Sequence, residues 1–389
     1  MGKCQENLTM VIGEYVDCYP PDIDGVGMVC KSYVEGLNAL GNTAYYVSPR
    51  GKNPYPGKFP VLHFPSLPIP REPYTLGLPY LGVQYNYDVR RVGFELVHTH
   101  SPFSAGIEAA GEAWRNGIPL VTSFHSKYYD DFFGKTGSKL IADSIVKMIV
   151  RFYDKCDEVW TVNNATADVL HGYGYEHEIV IMPNGTDLWY PTLEDKLDAQ
   201  NKYNLGDKNV FLFVGQHNFK KNIKLIIEAL AVYRKCFGED FKMLFVGQGP
   251  DAGAMLEMVK QLGLSDNVVF AGHLSDRNLM MKIYARADLF LFPSIYDNAP
   301  MVVREAAAAG TPSILMRGSC SAEGVTDNVN GYLCENDPVE LAERIHFALP
   351  SAEETGKAAR MSIPLAWSKV MEMVMGRYSN LVARKKKAD

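Results

Sequence analysis

Two carboxylates near residue 300 carry the most chemistry in this chain. Asp297 closes the segment Pro293-Ser294-Ile295-Tyr296-Asp297, just after the apolar run Leu289-Phe290-Leu291-Phe292. Glu305 lies beyond it, with seven residues between them, inside a stretch that reads as a helix. Pro300 suits the first turn of such a helix, because its missing N–H has no partner there in any case. A helix starting at this point leaves the amides of Met301 and Val302 unpaired and suited to an anion. Two acceptors for sugar hydroxyls would then lie beside a cradle for a phosphate, which is the combination a nucleotide-sugar requires. Acidic residues at a helix start also serve as caps and dipole-compensating charges.

Other segments follow strands in the same way. In Val214-Gly215-Gln216-His217-Asn218-Phe219-Lys220-Lys221-Asn222 the strand is expected to end at Gly215, and Lys221 to open the next helix. An ammonium there could neutralise a departing diphosphate. Val246-Gly247-Gln248-Gly249-Pro250 hints at a dinucleotide fingerprint, but Gly247, Gly249 and Gly253 miss the G-x-G-x-x-G spacing. No acidic residue ends a following strand at the right distance, so hydride transfer is disfavoured. Gly25-Val26-Gly27 precedes a helix, where its amides could approach a phosphate or an acceptor without Cβ obstruction. Asp22-Ile23-Asp24 imitates a metal-binding triplet and is read as a turn or cap. His98 and His100 share one face of a strand, but without further ligands at suitable spacing no metal site is expected. His125 follows the strand Pro119-Leu120-Val121-Thr122.

These residues need a frame that sets them at strand ends. Strands and helices alternate along the chain, the pattern of parallel sheets covered on both faces. Strands fit Leu8–Ile12, Ala44–Val47, Leu96–His98, Pro119–Thr122, Glu158–Thr161 and Ile179–Ile181. A second series fits Val210–Val214, Lys242–Val246, Val268–Phe270, Leu289–Phe292 and Ser313–Met316. Helices fit Met28–Leu40, Asn222–Cys236 and Ala252–Leu262. The expected fold is α/β, two doubly wound Rossmann-like domains facing a cleft, with ligands outside the carboxyl ends of the strands. The boundaries expected are 1–187, a linker at 188–207, 208–365, and a terminal helix at 366–389 packing back on the first domain.

At this point the chain resembles the retaining GT-B glycosyltransferases of glycosyltransferase family 4. The carboxylate pair matches that family's Glu, seven residues, Glu, with Asp297 in the first place. Met182-Pro183-Asn184-Gly185-Thr186-Asp187 is similar to its Pro-Asn-Gly-x-Asp turn, Gly247-Gln248-Gly249-Pro250 to its Gly-x-Gly-Pro, and Thr122-x-x-His125 lies where it has Thr-x-His. Gln216 stands where the family usually has Arg, leaving His217 and Lys220 as the neighbours that could compensate. The resemblance implies that His125, Asp297 and Lys221 attend the reacting centre. It implies that Gly25, Gly27, Gln216, Gly247, His273, Leu274, Asn298, Ala299, Pro300, Met301, Val302 and Glu305 hold the donor, Glu305 on the ribose. It further implies transfer of a hexose from UDP-glucose or a similar donor, with retention and without an essential metal or other cofactor. Ser123–Phe132 looks like a segment of bacterial diacylglycerol glucosyltransferases, so a membrane glycolipid or lipid-linked precursor is the expected acceptor. A GT-B epimerase, a hydrolase and a non-catalytic scaffold remain alternatives.

Bulk properties agree with a globular enzyme. The 389 residues allow two domains, and 47% hydrophobic with 22% charged residues is ordinary globular composition. A net charge of −6 argues against a nucleic-acid partner. Seven scattered cysteines without a CxxC point to a reducing compartment. The first residues show no secretory h-region, and Glu6 breaks the myristoylation pattern. A cytoplasmic protein on the inner membrane face is therefore expected. The stretch Lys139–Phe152 has apolar and basic residues at helical spacing, which suits either an anionic membrane surface or a core-packing helix with one wet face.

Overall fold

Runs such as Val210-Phe211-Leu212-Phe213-Val214 have no polar alternation, so they fit strands covered on both sides. The computed structural model bears this out. It describes residues 9–18, 25–50, 59–69 and 75–388, so the Asp22-Ile23-Asp24 triplet lies outside the described residues.

The chain divides into two units, Met1–Asn184 with Trp367–Asp389, and Gly185–Ala366. The first contains β1 (Val11–Tyr15), α1 (Gly25–Ala39), β2 (Thr43–Pro49), β3 (Val61–Phe64), β4 (Ser66–Pro68), β5 (Thr75–Gly77), α2 (Val83–Val92), β6 (Leu96–Thr99), α3 (Ser104–Asn116), β7 (Leu120–Phe124), α4 (Tyr128–Thr136), α5 (Lys139–Tyr153), β8 (Glu158–Thr161), α6 (Asn164–Gly172) and β9 (Ile179–Ile181). The second contains α7 (Leu193–Lys202), β10 (Asn209–Val214), α8 (Ile223–Phe237), β11 (Phe241–Val246), α9 (Ala252–Gln261), β12 (Val268–Gly272), α10 (Arg277–Arg286), β13 (Leu289–Phe292), α11 (Met301–Ala309), β14 (Ser313–Met316), β15 (Tyr332–Cys334), α12 (Pro338–Ala348) and α13 (Ala352–Ser362). Helix α14 (Trp367–Ala388) then returns to the first unit.

The first unit is built on a seven-stranded sheet in the order β3-β2-β1-β6-β7-β8-β9, and the second on a six-stranded sheet in the order β12-β11-β10-β13-β14-β15. Every pairing in both is parallel. Parallel register puts all strand carboxyl ends on one edge, and the loops leaving β6, β7, β10, β11 and β13 start there.

Several elements differ from the sequence reading. The first strand runs to Tyr15 rather than stopping at Ile12, because Glu14 is buried and hydrogen-bonded inside the fold. Gly25 and Gly27 belong to the first turn of α1 rather than to the loop before it. Lys221 ends a short 3-10 turn, Phe219–Lys221, and does not open the next helix; Asn222 breaks the path with φ 59° and bonds Pro293 O at 3.2 Å. The expected connection at 188–207 holds helix α7, capped by Thr192 and Asp195, whose Ala199 is buried in the core of the second unit. β3, β4 and β5 escaped the reading, being short and interrupted by Pro60, Pro65 and Pro68.

Helix α14 packs on α1. Tyr33 meets the ring of Trp367 at 6.2 Å, a Cβ on Gly36 would strike the Met371 side chain, and Tyr378 stacks on Trp160 at 5.4 Å. The core of the second unit is aromatic along its strands. Phe213, fully buried, lies 5.9 Å from Phe245 and 5.7 Å from Phe292. Truncating it leaves a void that rigid strand neighbours cannot refill, so Phe213→Ala is expected to cost about 3–5 kcal/mol, read by urea unfolding.

Candidate active site

In the second unit, the loops leaving β10 and β11 touch backbone to backbone. A Cβ on Gly247, at φ 136°, would sit 1.9 Å from Gly215 O, and one on Gly249 would sit 2.4 Å from His217 O. His217 N donates to Gln248 O at 3.0 Å, and Asp251 closes the turn by accepting from Phe219 N at 2.8 Å. The His217 ring is 2% exposed, packed near Phe245 and Phe270, and burial lowers its pKa. It is therefore neutral and cannot replace a missing cation. Of the two neighbours considered for that role, only Lys220 is charged; its Nζ lies 5.5 Å from the centre of the Tyr296 ring. Gln216 is exposed.

Lys221 and Asp297 come together although 76 residues apart. Nζ lies 2.6 Å from Oδ1, and both side chains are 17% exposed. The other Asp297 oxygen accepts from Ser294 Oγ at 2.6 Å, and Ser321 Oγ donates to the Asp297 carbonyl at 3.1 Å. Lys221 also reaches over the Phe292 ring, 5.6 Å from its centre. Pro300 is the N-cap of α11 rather than its first residue, and no side chain caps that end. The Met301 and Val302 amides thus begin a helix whose first turn has no side-chain acceptor, an arrangement that favours an anion. Asn298 is buried, and Ala299 is half-buried.

Glu305, 7% exposed, is held by two residues that the sequence reading missed. Arg277 Nη1 lies 2.7 Å from Oε1, and the Tyr284 hydroxyl donates to Oε2 at 3.0 Å. Both come from α10, two turns apart on one face, a spacing visible in the sequence once the helix is known. Burial opposes the Arg277 charge, yet the Glu305 carboxylate more than offsets it, so its pKa is raised. Burial, with Glu305 beside it, pushes the Tyr284 hydroxyl up as well. Each oxygen of Glu305 retains a second lone pair, so a ribose hydroxyl can still donate to it. His273 is exposed and Leu274 half-buried, directly after β12.

In the first unit, the strand histidines are not alone. Glu14 on β1 lies opposite His98 on β6 in the parallel register. His100 Nε2 lies 2.9 Å from Glu14 Oε2, and Tyr378 OH donates to Glu14 Oε1 at 2.9 Å. His98 bonds Tyr378 OH at 2.5 Å and Ser123 Oγ at 2.8 Å. His100 Nδ1 meets His125 Nε2 at 3.1 Å. Glu14, His98 and His100 are fully buried, whereas His125 is partly exposed. Burial raises the Glu14 pKa, lowers that of His98, and lowers that of His100 to about 3. The expectation that no third ligand type accompanies the two histidines is thus corrected, since donor atoms of Glu14, His98 and His100 lie within 4.8 Å of one another. Each of those atoms is engaged in a hydrogen bond within the network. An acidic residue inside an apolar strand was the signal available for Glu14.

The chain matches two family models, Glycosyltransferase Family 4 over residues 23–190 and Glycosyl transferases group 1 over residues 195–362. It is 26% identical to an alpha-monoglucosyldiacylglycerol synthase of Streptococcus pneumoniae, covering 89% of this chain and 80% of that one. It is 25% identical to the enzyme of the same name from Acholeplasma laidlawii, covering 87% and 88%. In fold it is similar to Anabaena HepE, solved with UDP (TM-score 0.78, 17% identity) and with UDP-glucose (TM-score 0.77, 18% identity), each over 96% of this chain and 100% of that one. The chain belongs to the GT-B glycosyltransferases and resembles the diacylglycerol glucosyltransferases among them. It is a glycosyltransferase that uses a nucleotide-sugar.

Replacing Arg277 by Ala removes one of the two groups that hold buried Glu305. Allowing for its half-exposed guanidinium, Arg277→Ala is expected to cost about 1 kcal/mol of stability, and less in a Glu305→Gln background, measured as a double-mutant cycle in urea.

Proposed function

We propose that the protein transfers glucose from UDP-glucose to a hydroxyl of a membrane lipid, with retention of the anomeric configuration. The observation that carries this reading is the Lys221–Asp297 pair, an ammonium and a carboxylate 2.6 Å apart in the same unit as the uncapped start of α11. A diphosphate takes Lys221 and the Met301 and Val302 amides, a hexose takes Asp297, and a ribose takes Glu305. Gln216 contributes amide hydrogen bonds without charge. The Gly25 and Gly27 amides in the first turn of α1 are a further approach for a phosphate or acceptor. Gly247 lets the backbone come close, and His273, Leu274, Asn298 and Ala299 border the nucleotide.

Leaving-group charge is met by Lys221, Lys220 and backbone dipoles, which supply the electrostatic part of catalysis without a metal. The acceptor's proton goes to the departing diphosphate on the same face of the sugar, and the chain's work is to position and to exclude water. His125, in the first unit, is given the role of orienting the acceptor.

A lipid acceptor is supported by the names of the two relatives and by the surface of the first unit. Helix α5 buries Ala142, Val146, Ile149, Val150 and Tyr153, so the core-packing reading of its sequence holds. Its other face exposes Leu140 at 80%, Ile141 and Met148 beside Lys139, Lys147 and Arg151. Near α2, Leu81 at 70% and Val83 at 87% exposed flank Tyr80, Tyr87, Arg90 and Arg91, around a groove of about 560 Å³. Apolar residues mixed with cations suit an anionic bilayer surface. Among the described residues no helix is long and apolar enough to cross a membrane.

The test is incubation with UDP-glucose and vesicles of anionic phospholipid containing diacylglycerol, with the product's anomeric configuration read by NMR. An α-glucosyl lipid is expected, unchanged by EDTA, with Lys221→Ala lowering turnover about 100-fold or more. A β-linked product contradicts retention, glucose released without glycolipid contradicts the acceptor, and loss of activity with EDTA contradicts metal independence.

A further inference from the structure

The Glu14–His100–His125 chain has a property that none of its members has alone. A neutral imidazole carries one N–H and one lone pair, and the partner of one nitrogen fixes the other. We propose that Glu14, acting through His100, sets which ring nitrogen of His125 carries the proton, and so whether His125 presents an acceptor or a donor at Nδ1.

With Glu14 ionised, His100 Nε2–H donates to Oε2, and His100 Nδ1 accepts from His125 Nε2–H, leaving the lone pair of His125 on Nδ1. With Glu14 protonated, its O–H donates to His100 Nε2, His100 Nδ1–H donates to His125 Nε2, and the His125 proton sits on Nδ1. One proton separates the two states. It enters at His125 Nδ1, the Nε2 proton of His125 passes to His100 Nδ1, and the Nε2 proton of His100 passes to Glu14. Both imidazoles are neutral before and after. The second arm stays fixed throughout, with Ser123 donating to His98 Nε2, His98 Nδ1–H to Tyr378, and Tyr378 to Glu14 Oε1.

Burial directs this route. Glu14, His98 and His100 have no exposed surface, and His125 is the partly exposed member. Among the described residues, the groups facing Glu14 are His98 and His100 from β6, Tyr378 from α14, and Tyr33 and Cys30 from α1. None is a fixed cation, so burial holds the carboxyl pKa above its ordinary value while the neighbouring imidazoles stay neutral. Glu14 is accordingly a positioning residue. The consequence for glycosyl transfer rests on the role proposed for His125, whereas the tautomers can be read without any donor.

Ring nitrogens of the full chain, labelled with 15N at histidine, would be followed by NMR from about pH 9 down to about pH 5, spanning the range documented for buried carboxyls. Single histidine substitutions assign the signals. His100 and His125 are expected to move together from the Nε2–H to the Nδ1–H form as pH falls, while His98 stays Nδ1–H. Glu14→Gln, near-isosteric and without a titrating group, is expected to abolish the pH dependence. Tyr378→Phe removes a donor that favours the ionised carboxylate, so its midpoint is expected at higher pH. The proposal is overturned by opposite tautomers on His100 and His125, by no reversal across the range, by a reversal that persists in Glu14→Gln, or by nitrogen shifts showing a bound metal.

Discussion

A lysine and an aspartate 2.6 Å apart, at the carboxyl edge of the second sheet, set the terms of the donor binding proposed for that unit. Each is five-sixths buried, so neither can lose its partner cheaply. A ligand that takes only one of them strands the other. In the proposed site, a diphosphate by itself would draw Lys221 away from Asp297, and a sugar by itself would do the reverse. On the reading proposed above, a molecule carrying both groups would replace the pair completely, with phosphate oxygens on Lys221 and hydroxyls on Asp297. Selectivity for an intact nucleotide-sugar over its nucleotide product would follow from that exchange, without any contact that distinguishes the base.

The arrangement depends on parallel strands. β10 and β13 are paired neighbours, so the loops after them leave the same edge and bring residues 221 and 297 into contact. Gly215 and Gly247 allow the adjoining loops to touch, leaving no space for a Cβ at residue 247. The first unit uses the same device with different chemistry. β1, β6 and β7 are adjacent, and their ends gather a carboxyl and three imidazoles under the cover of Tyr378 from the last helix. A terminal element thereby supplies a hydrogen bond to the buried carboxyl, so truncating it would alter the site as well as the packing.

Much of this was legible in the sequence, for identifiable reasons. Apolar runs of four to six residues marked the central strands because both of their faces are covered. Asp297 and Lys221 could be singled out because each lies in the loop that follows such a run. The turn at Asn222 could not be read, since the bonds its side chain makes to Pro293 and Asn336 link it to residues far along the chain and form only in the folded unit. Arg277 and Tyr284 remained hidden because their contact with Glu305 arises from the packing of two helices. Glu14 was hidden for a related reason. It reads as a strand-ending charge until the register sets it against His98, and then its burial makes sense as part of a hydrogen-bonded network.

The most direct measurement of the partner exchange is calorimetric binding of UDP and of UDP-glucose to the wild type and to Asp297→Asn. The account predicts that the wild type binds UDP-glucose more tightly than UDP. It predicts that Asp297→Asn, having freed Lys221 and weakened the sugar contact, binds UDP more tightly than the wild type does and UDP-glucose less tightly. Equal losses for both ligands, or no binding of either by the wild type, would contradict it.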